Sequence, residues 1–150
     1  DAGGAGLITP DLIPDEAADW MSASERTGLD RVFLVAPSST PERLARVTEA
    51  SRGFVYAAAV MGVTGVRSSV GAAAEDLVSR TRAVTDLPVC VGLGVSTGAQ
   101  AAQVGAFADG VIVGSALVST FFDVTPREGL DKLGALTREL AAGVAEGRGR

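Results

Sequence analysis

Five short apolar runs recur along the chain: "GLIT" at 6–9, "RVFLVA" at 31–36, "FVYAAAV" at 54–60, "PVCVGL" at 88–93 and "GVIVG" at 110–114. Their length and β-branched content read as strands. Between them the pattern shifts to helical spacing. Residues 14–27 carry Pro14 near the start and Gly28 just past the end, as helices favour. At 40–50, Thr40 stands as cap and Pro41 takes the first helical position. Ala73, Leu77, Val78 and Val84 mark a helix over 71–84, an Ala-rich segment follows at 97–106, and a last helix spans 127–146.

Strand and helix alternate five times, which predicts an α/β fold with a parallel sheet in one domain covering 1–150. The runs are continuously apolar rather than alternating, as expected where both sheet faces are covered. Two architectures fit the units. One is a five-stranded doubly wound sheet. The other is a (β/α)₈ barrel, which needs about 250 residues and eight strands, so this chain would supply five of them.

In either architecture ligands sit at the C-terminal ends of the strands, and that rule sorts the chemistry. Asp30, Asp86 and Asp109 precede strands and belong to the opposite, structural end. Glu42, Glu49, Glu75, Asp76 and Glu139 fall on helices and read as solvated. Only Asp11, in "TPDLIP", closely follows a strand, so no acid and base pair is evident at the working end. Glycine is plentiful there instead. Gly62 and Gly65 lie in the long insert after the third strand, Gly92 and Gly94 end the fourth, and Gly114 with Ser115 ends the fifth. A glycine turn followed by a helix start offers N–H groups and a partial positive charge to an anion. Two such turns in succession, with the Ser115 hydroxyl, predict a phosphate held by backbone donors without a cation.

Composition narrows the options. The net charge of −5 argues against nucleic acid or an anionic membrane as partner. No apolar run reaches the roughly 18 residues of a membrane span. There is no histidine and a single cysteine, Cys90, which excludes His-based triads, His or Cys-cluster metal sites and internal disulfides. A lone Cys inside an apolar run reads as core and fits a reducing, cytoplasmic setting. The chain opens on Asp1 rather than Met, as expected of a sequence lacking its natural N-terminus.

The segments "LITPDLIPDEA", "RVFLVAPSSTPERL", "GFVYAAAVMGVTG", "GLGVST" and "DGVIVGSALV", in this order and spacing, resemble the tryptophan synthase α-chain family from about its fourth strand to its C-terminus. The resemblance implies the barrel, here a partial (β/α)₈ TIM barrel of five parallel strands. It implies reversible cleavage of indole-3-glycerol phosphate to indole and glyceraldehyde 3-phosphate. The family's catalytic Glu and Asp come from the second strand and its loop, upstream of Asp1, so no catalytic carboxylate is expected in this chain and the isolated chain is expected to be inactive. Carried over position by position, Gly65, Gly94, Gly114 and Ser115 match the phosphate-holding residues. Tyr56 matches a tyrosine facing substrate, and Thr64 the threonine of a closing loop. Leu93 and Val60 depart from residues that relatives can carry, an aromatic and an Arg; Arg67 reads as solvated. "PDLIP" resembles the region facing the β chain of an α2β2 complex, and Asp11 there reads as structural or interfacial. Trp20 and Met21, on the next helix, read as core, with partner contact as the second reading. Pyridoxal phosphate belongs to the β partner, so no cofactor is expected here. Two other readings compete: a different phosphate-binding barrel such as a sugar-phosphate isomerase or aldolase, and a non-catalytic half-barrel that recruits a partner through open sheet edges. A Schiff-base aldolase would need a reactive lysine, and the sole lysine, Lys132, falls on the last helix.

Overall fold

The computed structural model describes residues 3–59, 67–92 and 94–149, with the backbone alone for 67–70. The first run forms β1 (Gly6–Ile8) and the second forms β2 (Asp30–Val32) and β3 (Leu34–Val35). They are two ladder segments of one strand. β2 pairs with β1 on one side, while β3 pairs with β4 (Val55–Ala58) on the other. Phe33 joins them, its carbonyl accepting the Tyr56 N–H at 3.1 Å. β5 (Val89–Gly92) and β6 (Gly110–Ile112) complete the ladder, every pairing parallel.

The spatial order therefore follows the chain order. A doubly wound sheet would reverse at a switch point, and none occurs. Right-handed crossovers in constant order place every helix on one side of the sheet. Those helices are α1 (Ala18–Thr27), α2 (Pro41–Ala50), α3 (Arg67–Arg82), α4 (Gly98–Gly105), the short α5 (Ser115–Val118) and α6 (Pro126–Arg148).

Local chemistry explains the helix limits. Thr40 caps α2 by accepting the Arg43 N–H, with Pro41 at the first position. Gly28 closes α1 in the left-handed region at φ 71°. The segment 14–27 is not one helix: a 3₁₀ turn, Pro14–Glu16, precedes α1, and the break falls at Ala17 (φ −98°, ψ 17°). Thr125 and Glu128 form a reciprocal capping box at the start of α6.

The core lies between the sheet and the helices. Phe33, Val35, Val55, Ala57, Val89 and Val91 point that way and meet Leu44, Leu77, Val78, Val104 and Leu140. The alternate residues, Leu34, Tyr56, Ala58, Cys90, Gly110 and Ile112, occupy the other face and are only half-buried. The expectation that both faces are covered thus holds for one. The second face has the apolar character of an interior but no layer of the described residues upon it. Trp20 and Met21 pack against the core as expected. Cys90 is half-buried on the second face, where burial, then the Asp109 carboxylate, push its thiol above the usual range, opposed by Arg148.

At the N-terminal ends of the strands the charges are structural. Arg31, 4% exposed, donates from Nε to the Ala50 carbonyl (3.0 Å) and from Nη1 to the Met21 carbonyl and Glu25 (both 3.3 Å). It ties α1 and α2 to the start of β2, and the Ala50 carbonyl it holds is at the negative end of α2. Asp109 accepts the Val89 N–H at 2.8 Å and Arg82 Nη2 at 2.7 Å. Burial alone would raise its pKa; the Val89 bond, then Arg82 and Arg148, hold it below the ordinary carboxylate value. Asp109 is a fastener between β5 and β6, as its place before a strand predicts.

Candidate functional site

Register brings the predicted residues to one end of adjacent strands. Ala58 is opposite Gly92, and Gly92 opposite Ile112. Gly94 lies two residues past Gly92, and Gly114 two past Ile112, so both turns leave neighbouring strands at the same level. Gly94 adopts φ 81°, a left-handed conformation that glycine takes without strain. Gly114 is exposed, and a side chain there would meet nothing within 4 Å.

Tyr56 projects onto the second face of β4, below these turns. A methyl on Gly92 would lie 2.6 Å from the Tyr56 hydroxyl, 2.9 Å from its Cε2 and 2.8 Å from Ile112 Cβ. Gly92 is therefore the gap that lets the phenol ring rest across β5 toward β6. Burial raises the phenol pKa, so the hydroxyl stays protonated near neutral pH and can donate a hydrogen bond. Thr64, Gly65 and Gly62, with Val60 and Leu93, lie outside the described residues.

The two turns differ in what already occupies their donors. Around α4, Gln100 Oε1 accepts the Ser96 N–H (2.8 Å), the Thr97 N–H and the Ser96 hydroxyl (both 3.2 Å). Thr97 Oγ1 accepts the Gln100 N–H at 3.3 Å, and Glu139 of α6 accepts the Gly98 N–H at 2.7 Å. This helix start is internally satisfied, and a carboxylate sits on its positive end. Around α5 no side chain of the described residues caps Gly114. The first bonds back to the Gly114 carbonyl come from Leu117 (2.9 Å) and Val118 (3.2 Å). The Ser115 and Ala116 N–H groups precede them and have no intrahelical acceptor. Sequence pattern treats the two turns as equal anion cradles; among the described residues, side-chain acceptors occupy the first helix start and not the second.

Small residues fix this geometry. A methyl on Gly143 would overlap the Gly98 carbonyl oxygen and lie 2.8 Å from its carbon; one on Gly147 would lie 3.0 Å from both the Ala102 carbonyl carbon and the Ala106 nitrogen. α4 and α6 approach backbone to backbone. Glu139, read from sequence as solvated, is exposed but bonded to α4. The four-residue spacings of Gly98 with Ala102 and of Gly143 with Gly147 were the available signal for this contact.

The other charges fall as expected. Asp11 is exposed in a turn, Asp76 pairs with Arg80 at 2.8 Å, and Asp15 pairs with Arg46. Lys132 is exposed on α6, away from the strand ends, which leaves a Schiff-base reading without support. Among the described residues no helix is long and apolar enough to cross a membrane.

A sequential parallel ladder with helices on one side, and a glycine-lined working end, define a (β/α)-barrel protein. Comparison with known proteins gives the family. The model for the tryptophan synthase alpha chain matches residues 1–145, and the chain belongs to that family. The Mycobacterium avium tryptophan synthase α chain is 68% identical over 145 residues, 97% of this chain and 52% of that protein. A structure of Mycobacterium tuberculosis tryptophan synthase superposes with a TM-score of 0.81 at 67% identity, covering 95% of this chain and 52% of its own. The α2β2 tryptophan synthase complex of Pyrococcus furiosus gives 0.77 at 33% identity, covering 91% and 55%. The chain thus spans about half the length of the curated relatives it matches, and its five strands are part of an α-chain TIM barrel.

Proposed function

We propose that this chain forms the phosphate-gripping part of a lyase that cleaves indole-3-glycerol phosphate to indole and glyceraldehyde 3-phosphate. The observation that carries this, beside family membership, is the Gly114–Ser115 helix start, which no described side chain caps and which lies level with the Gly94 turn. The Ser115 and Ala116 N–H groups and the Ser115 hydroxyl take the phosphate oxygens. Gly94 lets the neighbouring turn approach them, and Gly65 adds a further backbone donor by resemblance. Tyr56 bounds the substrate on the second face of the sheet, and by resemblance Thr64 belongs to a loop that closes over substrate and excludes water.

The reaction also needs a general acid at the indole carbon and a base at the glycerol hydroxyl. Asp11 is the described carboxylate that most closely follows a strand, and it is exposed in a turn. The acid and base are supplied by polypeptide other than these 150 residues, so the chain alone has negligible turnover. The partner is a tryptophan synthase β chain, met through the 10–14 segment and carrying the pyridoxal phosphate. The test is indole formation by the purified chain, first alone and then with the N-terminal half of the M. tuberculosis relative added. We expect none alone and turnover on addition; substantial turnover by the chain alone overturns the proposal.

A further inference from the structure

The segments that follow both turns of the proposed phosphate site are braced by one helix. The segment after Ser115 continues through a 3₁₀ turn, Ser119–Phe121, and Phe121 lies on α6 where a methyl on Gly129 would be 2.9 Å from its Cε1. Ten residues further along α6, Glu139 meets the first residue of α4. Its carboxylate accepts the Gly98 N–H at 2.7 Å, and a methyl on Gly98 would lie 2.8 Å from the Glu139 carbonyl oxygen and 3.0 Å from its Cγ. Gly143, one helical turn on, closes over the Gly98 carbonyl. Gly98 is thus gripped at both its N–H and its C=O by α6, four residues after Gly94. α6 is a strut that touches the start of α4, four residues past Gly94, at one place and Phe121, six residues past Ser115, at another.

We propose that Glu139 is a positioning residue: it fixes the Gly94 turn against α6 and so sets its spacing from the Ser115 and Ala116 N–H groups. The proposal rests on the phosphate reading above. Glu139 touches no ligand itself. Its charge does not aid anion binding, because a carboxylate on the α4 N-terminus offsets the favourable end of that helix dipole. What it contributes is the hydrogen bond and the reach to make it. Reach and charge are therefore separable by substitution. Glu139→Gln keeps the acceptor oxygen and loses the charge. Glu139→Asp keeps the charge but is one methylene short of Gly98. Glu139→Ala lacks both.

The experiment is a titration of the 150-residue chain with glycerol 3-phosphate, followed through backbone amide shifts of Ser115, Ala116 and Gly98. The wild type is expected to show saturable shifts at Ser115 and Ala116. Asp and Ala variants are expected to weaken binding about fivefold, the worth of one such bond, and to move the free Gly98 amide. The Gln variant is expected to bind as well as wild type or better. A role in stability alone would lower the melting temperature without changing affinity at 20 °C below it, and would not separate Gln from Asp. If wild type binds and the Asp variant binds equally with native-like spectra, this inference falls alone. Should the Ala variant not fold, the Asp and Gln pair decides. If wild type shows no saturable shift, the phosphate reading falls and takes this inference with it.

Discussion

Substituting Gly143 by alanine tests the claim that α4 and α6 are locked at backbone distance. Alanine is the better helix former by about 0.8–1 kcal/mol, so propensity alone predicts a more stable protein. The structure predicts the reverse. The new methyl would overlap the Gly98 carbonyl oxygen and stand 2.8 Å from its carbon and 2.9 Å from its Cα. These are backbone atoms, so no rotamer change relieves the overlap. An ordinary carbon–oxygen approach is about 3.3–3.6 Å, so the helices must part by on the order of 1 Å. A gap of that size forfeits about a quarter to a half of the dispersion contacts along the pair, and overpacking typically costs about 1–3 kcal/mol. The Glu139–Gly98 hydrogen bond stretches as well. Net of propensity, we expect a loss of about 2 kcal/mol, or roughly 4–8 °C in Tm for a chain of this size. Gly134→Ala is the internal control. It lies on the same helix, where the nearest atom to a methyl is the mobile end of Arg138 at 3.4 Å, and it should gain a few tenths to about 1 kcal/mol. Circular-dichroism melts of both variants check the pair. If Gly143→Ala melts at or above wild type while Gly134→Ala behaves as stated, the backbone-contact argument is wrong.

Three further outcomes follow from the charges and the site. Arg31→Ala leaves the Ala50 and Met21 carbonyls without their donor and should cost about 3 kcal/mol in urea unfolding; a change under about 1 kcal/mol would show that water replaces the guanidinium freely. Asp109 has a depressed folded-state pKa, so its contribution is present above the unfolded value of about 3.9 and is lost as pH falls through the lower folded value. The Tm gap between wild type and Asp109→Asn should therefore be constant from pH 7 to 5 and close toward pH 3; a gap that widens on acidification contradicts the sign. Ser115→Ala should leave Tm within about 1 °C, since the residue is exposed, yet weaken glycerol 3-phosphate roughly tenfold through loss of a charge-assisted hydrogen bond; unchanged affinity would remove Ser115 from the site.

Much of the fold was legible because each strand is marked twice, by an apolar run and by flanking turn residues. Thr40–Pro41, Gly28 and the Ser115 helix start acted locally and were read locally. Strand order was not legible: run lengths are the same in a doubly wound sheet and in a barrel, and only the ladder itself, or a resemblance, separates them. The break at Ala17 was missed because neither Ala17 nor its neighbours carries a breaker; it reflects packing, with Ala17 itself buried in the core at 1% exposure. Glu139 was missed for a related reason. An exposed helical glutamate looks the same in sequence whether its carboxylate meets water or the N-terminus of a neighbouring helix.

The unequal turns show where pattern reading reaches its limit. "GLGVSTGAQ" and "VIVGSALV" share a strand, a glycine and a helix start, and propensity cannot rank them as anion sites. The ranking comes from who else competes for the same N–H groups. Gln100 is the third residue of α4 and folds back onto Ser96 and Thr97 as a capping partner. α5 has Leu117 at the equivalent position, which cannot accept a hydrogen bond. That difference, with Thr97 on the Gln100 N–H and Glu139 on the Gly98 N–H, closes one helix start, while the other has no such side-chain acceptor among the described residues. A leucine there is thus informative about binding, although its own side chain packs against the core and faces no ligand. Replacing it with glutamine should let the chain cap its own site: glycerol 3-phosphate affinity should fall while the Gly114 N–H, the counterpart of the Thr97 N–H, gains a side-chain acceptor, visible as protection of the Gly114 amide from exchange. Protection without a loss of affinity would mean that the anion is held elsewhere.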